Sequence, residues 1–194
     1  MYKVIVLASG DGSNLQALID QVHGHDARIV AVASDKPAAS ALKRALEAGI
    51  PTVTLPPLRG EGRVSFHRRL GEGLKPFQPD LLVLAGYMRL VPPGFIEQFS
   101  PIINVHPSLL PAFPGLDAPA QALAAGVKVS GCTVHLVDEG LDSGPILLQK
   151  PVPVLPFDTP GSLHQRIKVQ EQLLLVQAVR AFARGEMTII CEGS

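Results

Sequence analysis

Four short apolar runs, Lys3–Leu7, Ile29–Ala33, Thr52–Leu55 and Leu81–Leu84, are separated by three longer stretches with a different rhythm. Those stretches, SNLQALIDQVHG, AASALKRALEAG and GRVSFHRRLGEGLKPF, repeat apolar residues every three or four positions, as amphipathic helices do. Strand and helix alternating in this way predict a parallel sheet, because each crossover helix returns the chain to the same end before the next strand. Such a sheet is buried on both faces, and ligands bind beyond the carboxyl ends of its strands.

The second half changes character. PIINVHPSLLPAFPG reads as a strand followed by a proline-rich loop, and VKVSGCTVHLV and PILLQKPVPV read as strands able to pair antiparallel. From Thr159 to Gly185 the pattern is helical, with Thr159 as N-cap and Pro160 at the first helical position. Pro92, Pro93, Pro107, Pro111 and Pro114 read as stiffeners of loops. The expected fold class is α/β: a Rossmann-like, mostly parallel twisted sheet flanked by helices, with an antiparallel part in the C-terminal half. A single domain over 1–194 is expected, with halves of about 1–100 and 101–194 and no repeat or linker between them.

Acidic and basic residues balance at 17 each, which argues against a nucleic-acid partner or a membrane patch. No signal peptide or spanning segment is evident, so a cytoplasmic location is expected. Cys132 and Cys191 lack metal-site spacing and read as buried reduced thiols. Monomer and homodimer are both open.

The first strand runs into ASGDGSNLQALID, a glycine turn that opens a helix and aims backbone N–H groups at one point. A dinucleotide fingerprint needs glycine or alanine at its third position, but Gly10 and Gly12 are followed by Leu15. Asp35 stands where a ribose-binding acid would, so the match is partial. Two readings are open: a cradle for a single phosphomonoester, and a turn closed by a Ser13 N-cap without a ligand.

Asn104 and His106, two apart at a strand end, project from one face. Asp142, in a glycine-flanked loop between two strands, can reach the same sheet edge. An amide, an imidazole and a carboxylate without a serine or cysteine nucleophile suit addition of a substrate's own nucleophile to a carbonyl. Taken singly, each residue also has an ordinary structural role as turn former or buried hydrogen-bonder. A metal site from His106, His135 and Asp142 ranks low, because no HxH or HxxxH spacing supports it.

SGDGSNLQALI, VLAGYMRLV, INVHPSLLPAFPG, GCTVHLVDEGLDSGPIL and the helix bearing KVQEQ together resemble the phosphoribosylglycinamide formyltransferases, folate-dependent enzymes of purine synthesis. The resemblance covers nearly the whole chain in the family's order. It implies 10-formyltetrahydrofolate as donor cosubstrate, glycinamide ribonucleotide as acceptor and no metal. By the same resemblance, the N-terminal half binds phosphate and the C-terminal half carries catalysis and folate binding. Asn104, His106 and Asp142 match the catalytic residues, and Gly12, Ser13, Asn14 and Lys168 match the phosphate site. Glu171 matches an acid on the glycinamide or ribose side, although Lys168 and Glu171, three apart, also fit an ordinary surface pair. Met88, Arg89, Leu90 and Val91, with Val137, Asp138, Gly140 and Leu141, match the segments around the pterin, and Arg63 the approach to the folate tail. Some relatives carry histidine where this chain has Asp117, Ala118 and Pro119, so the resemblance assigns no histidine contact there.

The same catalytic core occurs in methionyl-tRNA formyltransferase and formyltetrahydrofolate deformylase. At this chain length their extra domains are not expected, and neutral charge disfavours tRNA. A hydrolase, another small acceptor, a non-catalytic phosphate-binding module and an NAD-dependent reductase are the alternatives, the last opposed by Leu15.

Overall fold

The computed structural model describes residues 1–187. Its first half alternates β1 (Tyr2–Leu7), α1 (Ser13–Gln21), β2 (Ala27–Ser34), α2 (Ser40–Glu47), β3 (Thr52–Thr54), α3 (Arg63–Leu74) and β4 (Leu81–Leu84). The second half adds α4 (Pro93–Phe99), β5 (Ile102–His106), α5 (Ala118–Ala124), β6 (Val129–Leu136), β7 (Ile146–Pro153) and α6 (Pro160–Ala183). The strands form one seven-stranded sheet in the order β3-β2-β1-β4-β5-β6-β7, parallel through β5 and antiparallel from β5 to β7. This is the α/β sheet that the alternation predicts.

Because both faces are covered, the central strands are apolar throughout rather than alternating. Val4 and Val6 of β1, with Leu81 and Val83 of β4, pack on one face with Leu15, Leu18, Leu163, Ile167 and Leu175. Ile5, Leu7, Leu82 and Leu84 face the other way, against Phe66, Leu70, Phe95 and Phe99. The helix α6 is capped as its sequence predicts: Thr159 Oγ1 accepts from the Ser162 backbone N–H, and the Ser162 side chain returns to the Thr159 N–H.

Two helices depart from the sequence reading. Pro92 and Pro93 do not simply stiffen a loop; Pro92 is the N-cap and Pro93 the first residue of α4. Neither α4 nor α5 exceeds seven residues, too short for a helical period to stand out in the sequence. Cys132 is fully buried in β6, and burial pushes its thiol up to about 12; Cys191 lies outside the described residues.

Gly131 lies opposite Pro151 in the β6–β7 pairing, and a Cβ there would stand 2.2 Å from the Lys150 carbonyl oxygen and 2.7 Å from Leu109 Cδ2. Gly131→Ala is therefore expected to lower stability in urea unfolding by about 1–3 kcal/mol, the cost of overpacking. At Gly94 in α4 nothing lies within 4 Å, and Gly94→Ala is expected to raise stability by about 0.4–1 kcal/mol.

Candidate active site

The chain leaves β1 toward β2 on one side, then returns to place β4 on the other, so the strand order reverses between β1 and β4. The loops leaving two such strands diverge to opposite faces and open a crevice between them. A cleft of about 810 Å³ lies here, lined by the turn after β1, the segment after β4, the end of β5, the 115–119 and 137–142 loops, and one side of α6.

Asn104, His106 and Asp142 meet in this cleft. Asp142 Oδ2 lies 3.2 Å from His106 Nδ1 and accepts from the Gly115 N–H at 2.8 Å. Burial alone would raise the Asp142 carboxyl, but His135, the Gly115 N–H and His106 outweigh it and hold the carboxyl below its ordinary value. His106 Nε2 lies 2.9 Å from the Phe113 carbonyl oxygen, so both ring nitrogens face acceptors and both contacts are satisfied only when each carries hydrogen. Asp142, Phe113 and Asp117 hold left-handed φ values of 52°, 56° and 54°. Such conformations cost roughly 1–3 kcal/mol each outside glycine and concentrate at functional sites.

His135 belongs to this cluster, beyond its sequence reading as a low-ranked metal candidate. The β5–β6 register sets it directly across from Asn104. Its Nδ1 lies 2.8 Å from the Leu136 carbonyl oxygen, and its Nε2 lies 3.1 Å from Asn104 Nδ2 and 3.6 Å from Asp142 Oδ1. One Asn104 N–H is thereby engaged, while the other reaches Asp142 Oδ1 only at 3.5 Å and can turn to a stronger acceptor. The sequence reading pairs the β6 and β7 stretches with each other and gives β5 no partner, so this contact had no signal in the sequence. Among the described residues, no group of three or more His, Cys, Asp or Glu is arranged to hold a metal ion.

At the glycine turn, Gly12 takes φ 73° and is itself the N-cap of α1, so Ser13 is already helical and does not cap. Its N–H donates instead to Asp11 Oδ1 at 3.0 Å. A Cβ on Gly12 would stand 2.7 Å from Ala41 Cα, so both the turn and the contact with α2 require glycine. Lys168 reaches across from α6 to Asp11 Oδ2 at 2.5 Å, and its hydrogen bond is the main cause pulling the Asp11 carboxyl down to about 2. Glu171 is not the surface partner of Lys168: it is 5% exposed. Beside it, the buried Asn14 Oδ1 has no hydrogen-bond partner among the described residues, a cost of roughly 1–3 kcal/mol that a ligand donor would remove.

Met88, Leu90, Val91, Val137 and Leu141 give the far end of the cleft an apolar wall, joined by Arg89, Asp138 and Gly140. Asp138 Oδ1 accepts from the Gly140 N–H and Ser143 Oγ, which folds that loop back on itself. Tyr87 and His164 also line the cleft; Tyr87 falls within the VLAGYMRLV stretch without a role of its own, and His164 has no reading in the sequence. Arg63 opens α3 and is not among the lining residues.

A family model described as formyl transferase matches residues 2–179. The chain is 46% identical over 190 residues to a phosphoribosylglycinamide formyltransferase of Mycobacterium tuberculosis, covering 97% of this chain and 88% of that one. It is 44% identical over 170 residues to the Bacillus subtilis protein of the same name, covering 86% and 87%. Among solved structures, glycinamide ribonucleotide transformylase 1 from Symbiobacterium toebii superposes with a TM-score of 0.94 at 45% identity, covering 98% of this chain and 92% of that one.

Burial raises the Glu171 carboxyl from 4.5 to about 7, reinforced by Asp11 and opposed by Asn14 and Lys168. Between those values the folded protein binds the proton more tightly than the unfolded chain, so this group's contribution to stability falls as pH rises through the interval. Relative to wild type, Glu171→Gln is expected to gain stability from pH 5 to 8, by up to about 3 kcal/mol at the upper end. A stability difference between the two that does not change with pH would show that Glu171 ionises normally.

Proposed function

The chain belongs to the phosphoribosylglycinamide formyltransferase family, and from that premise we propose that it formylates the amine of glycinamide ribonucleotide using 10-formyltetrahydrofolate, in de novo purine biosynthesis. The reading is carried by one observation: the glycine turn at the start of α1 and an amide–imidazole–carboxylate cluster open into the same cleft, whose far wall is apolar. One continuous sheet across both halves supports treating residues 1–194 as a single formyltransferase domain.

In the reaction a bond forms between the acceptor nitrogen and the formyl carbon, and the bond from that carbon to folate N10 breaks. One proton leaves the amine and one reaches N10. The Gly12–Asn14 turn and Lys168 hold the 5′-phosphate, which competes with Asp11 for the Lys168 ammonium. Glu171 and the unpaired Asn14 Oδ1 accept from the glycinamide or ribose side. As charge grows on the formyl oxygen, the weakly held Asn104 N–H turns to it, and the His106 imidazolium stabilises it electrostatically. Asp142 supports that imidazolium and receives, through water, the proton leaving the amine. The segments 88–91 and 137–141 enclose the pterin with apolar side chains and backbone groups. A cytoplasmic location goes with this reading; no helix of the described residues is long and apolar enough to cross a membrane.

Formylated ribonucleotide and deformylated folate should appear in equal amounts when the purified protein is given both substrates; deformylated folate alone would make it a hydrolase. His106→Ala is expected to lower kcat by about 100- to 1,000-fold, the scale of a lost oxyanion interaction, while the KM for ribonucleotide stays nearly unchanged. Equal losses in ribonucleotide binding and turnover would remove His106 from that role.

A further inference from the structure

Asp35 follows β2 at the carboxyl edge of the sheet, where a nucleotide-binding fold presents an acid to ribose. Here the protein itself takes both oxygens: Oδ1 accepts from Ser9 Oγ at 2.6 Å and Oδ2 from Arg89 Nε at 2.7 Å. The side chain is 3% exposed. Burial would raise this carboxyl, yet the hydrogen bonds from Ser9 and Arg89 outweigh it and keep it below the usual range, an ionised acceptor for both donors.

The two donors come from different sides of the cleft. Ser9 precedes the glycine turn after β1, while Arg89 lies in Gly86–Val91, a stretch without helix or strand. Ser9 also grips that stretch directly, donating its N–H to the Gly86 carbonyl at 3.1 Å and accepting the Met88 N–H on Oγ at 3.2 Å. The Arg89 guanidinium is held from another side by the Phe66 ring, 4.8 Å from its centroid. With Arg89 turned inward, Met88 and Leu90 on either side of it point out into the cleft, 65% and 47% exposed.

We propose that Asp35 is a positioning residue for the folate pocket: it anchors Arg89 and, through Ser9, the Met88 backbone, and so sets the wall formed by residues 86–91 against the phosphate turn. The proposal rests on reading 86–91 as a folate-binding segment. Asparagine in place of Asp35 keeps the shape and the acceptor for Ser9 but loses the charge that retains the guanidinium.

The test combines amide hydrogen exchange with steady-state kinetics on the full chain, for wild type, D35N, R89M and the double variant. In D35N, exchange at residues 86–91 is expected to rise and the KM for 10-formyltetrahydrofolate to increase about tenfold, the effect of losing one charge-assisted contact. The ribonucleotide KM and kcat should stay close to wild type with only a modest fall in Tm, and the double variant should be no worse than either single one, since both break the same link. Unchanged exchange and unchanged folate KM in D35N overturn the positioning role and leave the function standing. A matched loss in both KM values and Tm also overturns it, by making Asp35 a structural residue. Faster exchange at 86–91 with an unchanged folate KM overturns the assignment of that segment to folate. Transfer by the wild-type protein tests the function itself, independently of any variant.

Discussion

The site is organised around the Asp142 carboxylate. A carboxylate at 12% exposure must either find partners or take up a proton, and Asp142 meets His106 at 3.2 Å, the Gly115 N–H at 2.8 Å and the His135 ring at 3.6 Å, on three separate pieces of the chain. His106 comes from the end of β5, His135 from β6 and the Gly115 N–H from the proline-rich loop. Satisfying one buried charge therefore brings two strands and two loops together. The left-handed backbone at Asp142, Phe113 and Asp117 is the local cost of aiming the groups at one another.

The sheet makes that convergence possible. Reversal of strand order between β1 and β4 sends the glycine turn and the 86–91 segment to opposite sides of one crevice, and β5 delivers Asn104 and His106 beside it. Ser9, Asp35 and Arg89 then bridge the crevice beneath its surface. An acid at the end of the second strand thus serves the protein's own loops where a dinucleotide enzyme would offer it to ribose, in keeping with the Leu15 side chain that breaks the fingerprint and is buried in the core.

Where the sequence reading succeeded and where it fell short follows from the range of each signal. Helical and strand periods, the Thr159 cap and the Gly12 turn are local, each set within a few residues by sterics and hydrogen bonding, and each appears close to where the pattern puts it. The helices α4 and α5 were illegible because seven residues make barely two turns. Ser13 had the composition of a cap, but the left-handed Gly12 had already filled that position. Glu171, matched to a substrate-binding acid, also fitted half of a surface pair because spacing along a helix says nothing about what covers the helix; here α6 packs against α1 and β6, and the residue is buried.

The sequence by itself determined the parallel α/β sheet, the glycine turn at its edge and the placing of Asn104 and His106 on one face of a strand, all consequences of backbone periodicity. Only the tertiary structure decided that His135 orients Asn104, that Asp35 is held between Ser9 and Arg89, and that Arg63 stands outside the cleft lining. Those outcomes join residues dozens of positions apart. They depend on strand register, burial and the need of each buried charge for a partner, which no local pattern encodes.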